Sequence, residues 1–108
     1  AKAFKLMVDE KQFQNASLTL KSLSESLHVS PQILSQVINQ KSGKNFNSFV
    51  NAFRVEESKR LLHQEEFKNQ TIASIAFEVG FNSLSSFNTA FKKETGETPM
   101  AYRQQRSK

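Results

Sequence analysis

Apolar residues recur at intervals of three and four along nearly the whole chain, and no stretch alternates strictly between apolar and polar residues as a half-buried strand would. The pattern predicts an all-α protein of seven helices. The first runs over about Lys2–Phe13, with Phe4, Met7, Val8 and the stem of Lys11 on one face, and the turn at 15–17 ends it. Thr19 is placed to cap the second, which turns Leu20, Leu23 and Leu27 inward. Ser30 followed by Pro31 pairs a capping hydroxyl with a proline at the first helical position, and the third helix begins there, burying Leu34, Val37 and Ile38.

Gly43 stops that helix, and Asn45 caps a long fourth one over about Phe46–Glu66. Its apolar stripe changes face partway, from Phe46, Phe49, Val50 and Phe53 to Val55, Ser58, Leu61 and Leu62, as expected of a helix that serves two cores in turn. Thr71 caps a fifth helix that Gly80 ends. Ser83 caps a sixth, which buries Phe87, Ala90 and Phe91 and stops at Gly96. Thr98 and Pro99 open a short seventh helix reaching about Arg106, with Met100 and Tyr102 available to close the core.

The chain also repeats itself. Residues 20–46 and 72–99 carry one pattern at an offset of about 52 residues: Leu20, Leu23, Ser24 and Leu27 match Ile72, Ile75, Ala76 and Val79. After one extra residue, at Asn82, Leu34 and Ile38 match Phe87 and Phe91, and Gly43 matches Gly96. Helix, short turn and helix at this spacing form a helix-turn-helix, and the small Ser24 and Ala76 allow the steep, close crossing such a unit needs. The expected organisation is two helix-turn-helix subdomains, about 1–53 and about 67–108, joined by a linking helix over about 46–66. At ~1.5 Å per residue that linker covers about 31 Å, close to one turn of B-DNA at roughly 34–36 Å.

Composition narrows the function. A net charge of +5 and a pI near 9.7 favour an acidic partner such as nucleic acid. There is no Cys, so neither a disulfide nor a thiolate metal site can form, which fits a cytoplasmic protein. No apolar run is long enough to cross a bilayer, so this segment is expected to make no membrane contact. The chain begins without Met, inside a predicted helix, as a piece of a longer protein would. Nothing points to catalysis. His28 and His63 have no acid in any recognisable arrangement, and Glu56-Glu57 and Glu65-Glu66 sit on an exposed helix where solvated salt-bridging explains them. Without a phosphate loop or metal-ligand spacing, no catalytic residue, metal or cofactor is expected.

The second unit carries the most specific marks: Ile75-Ala76, Gly80-Phe81, Phe87, Phe91-Lys92-Lys93, Gly96, Thr98-Pro99 and Tyr102-Arg103. Together with Ser30-Pro31, Leu34-Ser35, Gly43, and Phe49, Val50, Arg54, Lys59 and Leu61-Leu62 on the link helix, they run over nearly the whole chain. This set closely resembles the DNA-binding domain of AraC/XylS-type bacterial transcription regulators. The resemblance implies sequence-specific binding of double-stranded DNA, with two recognition helices in successive segments of major groove on one face. It also implies RNA polymerase as a further partner. In most relatives a ligand-sensing or dimerisation region precedes the domain, and in others a membrane-spanning sensor; the domain is expected to be monomeric and the full-length protein dimeric.

By the family pattern and helical periodicity, Gln32, Ile33, Ser35 and Gln36 on the first recognition helix face the groove, and Leu84, Ser85, Asn88 and Thr89 on the second. Neither helix carries a charge there, although relatives often place Arg at the positions of Gln36 or Thr89. Amides suit adenine N6/N7 and apolar groups the thymine methyl, whereas Arg suits guanine. The expected site is A·T-rich in its contacted bases, with Gln36 and Asn88 as adenine readers and Ile33 and Leu84 against thymine methyls. Leu84 could instead cover the edge of the core. Asn39, Lys41, Lys44, Arg54, Lys92, Lys93 and Arg103 flank these faces as candidate phosphate contacts, which position a duplex without specifying sequence. An equal alternative for Arg54 is to anchor the link helix within the protein. The competing reading is a helical protein-interaction module that keeps the fold without specific DNA binding.

Overall fold

The computed structural model describes residue 5 and residues 11–105. Among them are six α-helices, two 3-10 turns and no strand: α1 (Leu20–Leu27), α2 (Pro31–Ser42), α3 (Phe46–Leu62), α4 (Ile72–Glu78), α5 (Leu84–Thr95) and α6 (Pro99–Gln105), with the turns at Gln12–Gln14 and Glu65–Phe67. The all-α expectation holds. Most of the expected first helix, about Lys2–Phe13, lies outside the described residues. At its end, Lys11 is left-handed with φ 51°, and Gln12–Gln14 is a 3-10 turn rather than a helical continuation.

Local chemistry starts every helix. Thr19, Ser30, Asn45, Thr71 and Ser83 each accept the backbone N–H of the residue three further on, and Thr98 does the same for Ala101 at 3.1 Å. Such caps satisfy donors that have no partner within the helix. Gly43 and Gly96 then end α2 and α5 in the left-handed conformation, φ 73° and 84°.

Two hydrophobic clusters share α3. The first contains Phe13, Leu23, Leu34, Ile38, Phe49 and Val50; the second is built on Val55, Leu61, Leu62, Ile75, Val79, Phe81, Phe87 and Phe91. The change of face along the link helix therefore corresponds to a change of core. The repeat is also spatial: Leu23 and Ile75, Ser24 and Ala76, and Ile38 and Phe91 are buried in equivalent places. Ser24 and Ser58, the buried polar residues, return their hydroxyls to Lys21 and Val55 carbonyls at 2.8 and 2.7 Å, so neither is left unsatisfied.

Three expectations change in detail. Val37 is half-buried rather than buried, and Met100 is half exposed and does not close the core, whereas Tyr102 packs against it. The link helix stops at Leu62, not near Glu66, so its 17 residues cover about 26 Å. Its end is fixed by tertiary contacts. The His63 ring stacks on Tyr102 at 4.3 Å, its Nε2 donates to the Tyr102 carbonyl at 3.0 Å, and the chain turns so that Phe67 packs on the second core. The molecule is elongated, 46 × 23 × 22 Å. No described helix is long and apolar enough to cross a membrane.

Candidate nucleic-acid interface

Each helix-turn-helix presents a groove beside its second helix, and the two grooves are related by the internal repeat. Leu20, Pro31, Gln32, Ser35, Gln36, Asn39, Gln40 and Asn45 line the first; Ile72, Leu84, Asn88, Thr89, Lys92, Lys93, Thr98, Pro99 and Met100 line the second. Leu20 answers to Ile72, Ser35 to Asn88, Gln36 to Thr89 and Asn45 to Thr98. Where the first groove has Asn39 and Gln40, the second has Lys92 and Lys93. The scaffold is common to both, and the polar and charged groups that it displays are not.

Gln32, Gln36, Leu84, Ser85, Asn88 and Thr89 are exposed, and Ser35 is half-buried. Ile33 is 53% and Leu84 40% exposed, a heavy exposure for large aliphatic side chains, although Ile33 is not among the residues that line the first groove. Leu84 thus lines the second groove while remaining substantially open to solvent.

The candidate phosphate contacts divide. Asn39, Lys41, Lys92 and Lys93 are exposed. Lys44 is half-buried with its Nζ 3.7 Å from Glu94, and Lys93 donates to Ser48 Oγ at 3.4 Å; both contacts bridge the first and second halves of the molecule. The two arginines turn inward instead. Arg103 donates from Nη2 to the Phe67 carbonyl at 3.2 Å. Arg54 donates from Nε to the Phe13 carbonyl at 2.7 Å, from Nη2 to the Asn15 carbonyl at 3.1 Å and from Nη1 to Asn51 Oδ1 at 3.2 Å. Burial pushes the Arg54 pKa down, yet a guanidinium keeps its proton in proteins, so the charge is held against carbonyl oxygens. These are the contacts of the anchoring alternative.

Residues not singled out from sequence also join the site. Ser48 and Asn51 on α3 share a polar cleft with Ser85, Ser86, Thr89 and Lys93, between the link helix and the second recognition helix. Their i, i+3 spacing on the polar side of α3 is the signal that could have marked them. Among the described residues, no group of three or more His, Cys, Asp or Glu side chains could hold a metal ion.

Two repeated helix-turn-helix units built on one shared helix define the class of protein. A family model described as a helix-turn-helix domain matches residues 23–105, and the chain belongs to this family, the AraC-type helix-turn-helix proteins. YobQ of Bacillus subtilis (strain 168), an uncharacterized HTH-type transcriptional regulator, is 36% identical over 86 residues, covering 80% of this chain and 34% of YobQ. The chain thus spans about a third of the length of this curated relative. The C-terminal domain of AraT, a response regulator from Geobacillus stearothermophilus, superposes with a TM-score of 0.77 at 39% identity, covering 89% of this chain and 77% of that one. The DNA-binding domain of AdpA, a global transcriptional factor solved in complex with a target DNA, matches in fold with a TM-score of 0.79 at 19% identity, covering 96% of this chain and 86% of that one.

Proposed function

We propose that this chain is the DNA-binding unit of a bacterial transcription regulator, acting by binding and without catalysis. The observation that carries the reading is the pair of repeat-related grooves, each beside a recognition helix whose first two turns are uncharged, in a chain of the AraC-type family. AdpA, of the same fold, was determined with DNA bound. The full length of the molecule, 46 Å, is an upper bound on the separation of the readers and exceeds the roughly 34–36 Å between successive major-groove segments.

In this reading α2 presents Gln32, Ile33, Ser35 and Gln36 to base edges, and α5 presents Leu84, Ser85, Asn88 and Thr89. Gln36 and Asn88 pair with adenine, and Ile33 and Leu84 rest on thymine methyls. Asn39, Lys41, Lys44, Lys92 and Lys93 meet phosphates. The two arginines, engaged internally, contribute to the scaffold. The two subdomains meet at α3, the domain binds as a monomer, and the whole regulator acts in the cytoplasm on RNA polymerase.

Selection of binding sites from random duplex DNA, followed by mobility-shift titration at several salt concentrations, tests the reading. It should return asymmetric sites with A·T pairs at the contacted positions. Strongly G-dependent half-sites would overturn the assigned readers, and the absence of any sequence-specific shift would leave the interaction-module alternative. Neutralising Lys92 and Lys93 together (Lys→Gln) should weaken binding to all sequences alike. It should also reduce the steepness of log affinity against log salt by roughly 1.8, at about 0.9 per phosphate contact. A changed sequence preference at unchanged affinity would contradict the phosphate role.

A further inference from the structure

The backbone at residues 13–16 lies between the two halves of the molecule, and one side chain from the link helix ties it to both. Phe13 is buried in the first core and stacks on Phe53 at 6.1 Å, while its carbonyl points the other way. There it receives Arg54 Nε, and Gly80 of the second turn approaches so closely that an added Cβ would stand 2.4 Å from that oxygen. The Arg54 guanidinium also lies over the ring of Phe81, 5.7 Å from its centroid, and Phe81 belongs to the second core. Asn82 adds a second tie, its Nδ2 donating to the Ala16 carbonyl at 3.4 Å.

We propose that Arg54 is a positioning residue: by clamping residues 13–16 between α3 and the Gly80–Asn82 turn, it fixes the separation and angle of the two readers, and with them the half-site spacing the protein accepts. Only the last step rests on the DNA-binding proposal. All three guanidinium nitrogens are engaged inside the protein, two of them on carbonyls 41 and 39 residues away in sequence. Charge-assisted bonds of this kind are about twice as strong as neutral ones and are directional. A lysine ammonium keeps the charge but cannot reproduce the planar fork. Two further side-chain contacts between the halves, Lys44–Glu94 at 3.7 Å and Lys93–Ser48 at 3.4 Å, are long and partly solvated, of the kind that contributes little. α3 connects the readers, and the clamp stops each unit from rocking on it.

The chain has no cysteine, so spin labels can be placed cleanly at Glu25→Cys on α1 and Glu78→Cys on α4, both exposed. Pulsed dipolar spectroscopy should give one narrow distance distribution for the parent protein and a clearly broadened one for both Arg54→Lys and Arg54→Ala. Asn82→Ala, which keeps Arg54, should broaden it less. On DNA, the selected site should be compared with the same site lengthened by one base pair between its halves, a rotation of about 34–36°. The parent should lose at least tenfold more affinity than Arg54→Lys on that change. A distribution as narrow in both Arg54 variants as in the parent would overturn the proposal, whatever their melting temperatures. If instead Arg54→Lys behaves as the parent while Arg54→Ala flattens the salt dependence by about one phosphate contact, Arg54 is a DNA contact. Should selection return no site, the DNA reading fails while the distance measurement still decides the clamp.

Discussion

Replacing Gly80 by alanine is expected to destabilise the protein by about 2–6 kcal/mol, the sum of backbone strain of ~1–3 and overpacking of ~1–3 kcal/mol. Gly80 has φ 111°, and a Cβ there would lie 2.4 Å from the Phe13 carbonyl oxygen and 2.9 Å from Arg54 Nε. Neither neighbour yields cheaply, because one is backbone and the other is held by its own hydrogen bonds. Gly43 and Gly96 supply the controls. Both are left-handed with nothing within 4 Å of an added Cβ, so alanine there should cost only the conformational ~1–2 kcal/mol. Urea unfolding of the three variants separates the terms, and equal midpoints for Gly80→Ala and Gly43→Ala would contradict the steric account. His28 makes the same distinction within the native chain. It occupies the repeat-equivalent place with φ 59°, so the turn demands a positive φ in both units, and only the second demands that the side chain be absent.

Phe87→Ala should cost a comparable ~3–5 kcal/mol, the usual range for a buried phenylalanine. The side chain is fully buried, with the rings of Phe81 and Phe91 at 5.2 and 5.6 Å. Its repeat partner Leu34, 3% exposed, should cost about 2–5 kcal/mol as Leu34→Ala. For a domain of this size 1 kcal/mol shifts the melting temperature by about 4–8 °C, so Phe87→Ala should lower it by roughly 12 °C or more. Calorimetry checks the size of the effect. A loss below about 1 kcal/mol would mean that the second core closes over the space, and that α5 is held by something other than Phe87.

Much of this architecture could be read from sequence because its signals are local. Ser30-Pro31, Asn45, Thr71, Ser83 and Thr98-Pro99 start helices by chemistry confined to one turn, and Gly43 and Gly96 stop them the same way. The core faces were legible because their period is that of the helix. What sequence misplaced depends on distant partners. Gln64, Glu65 and Glu66 would extend α3 on propensity alone, but the His63–Tyr102 stack and the packing of the partly buried Phe67 turn the chain earlier. On the link helix Arg54 could be read from sequence equally as a phosphate contact or as an internal anchor, and its partners could not be named. No pattern announces that the carbonyls of Phe13 and Asn15, some forty residues upstream, come within its reach. Among the candidate site residues, the exposure of Gln36, Asn88 and the paired lysines followed from helical phase, whereas the cleft formed by Ser48 and Asn51 with α5 required the packing of α3 against it.

The unlike grooves have a consequence for direction. A protein that reads DNA through two identical faces related by a two-fold axis can be turned end for end on its site without change. Here one groove offers Asn39 and Gln40 and the other Lys92 and Lys93, so on the proposed reading the molecule has a head and a tail, and its site an arrow. Inverting the site in a promoter would leave the affinity intact but swing every surface away from the DNA, including the half-exposed Phe77 on α4, to the opposite side of the start point. Orientation is then information that a single copy of the chain can carry, without a second subunit to supply it.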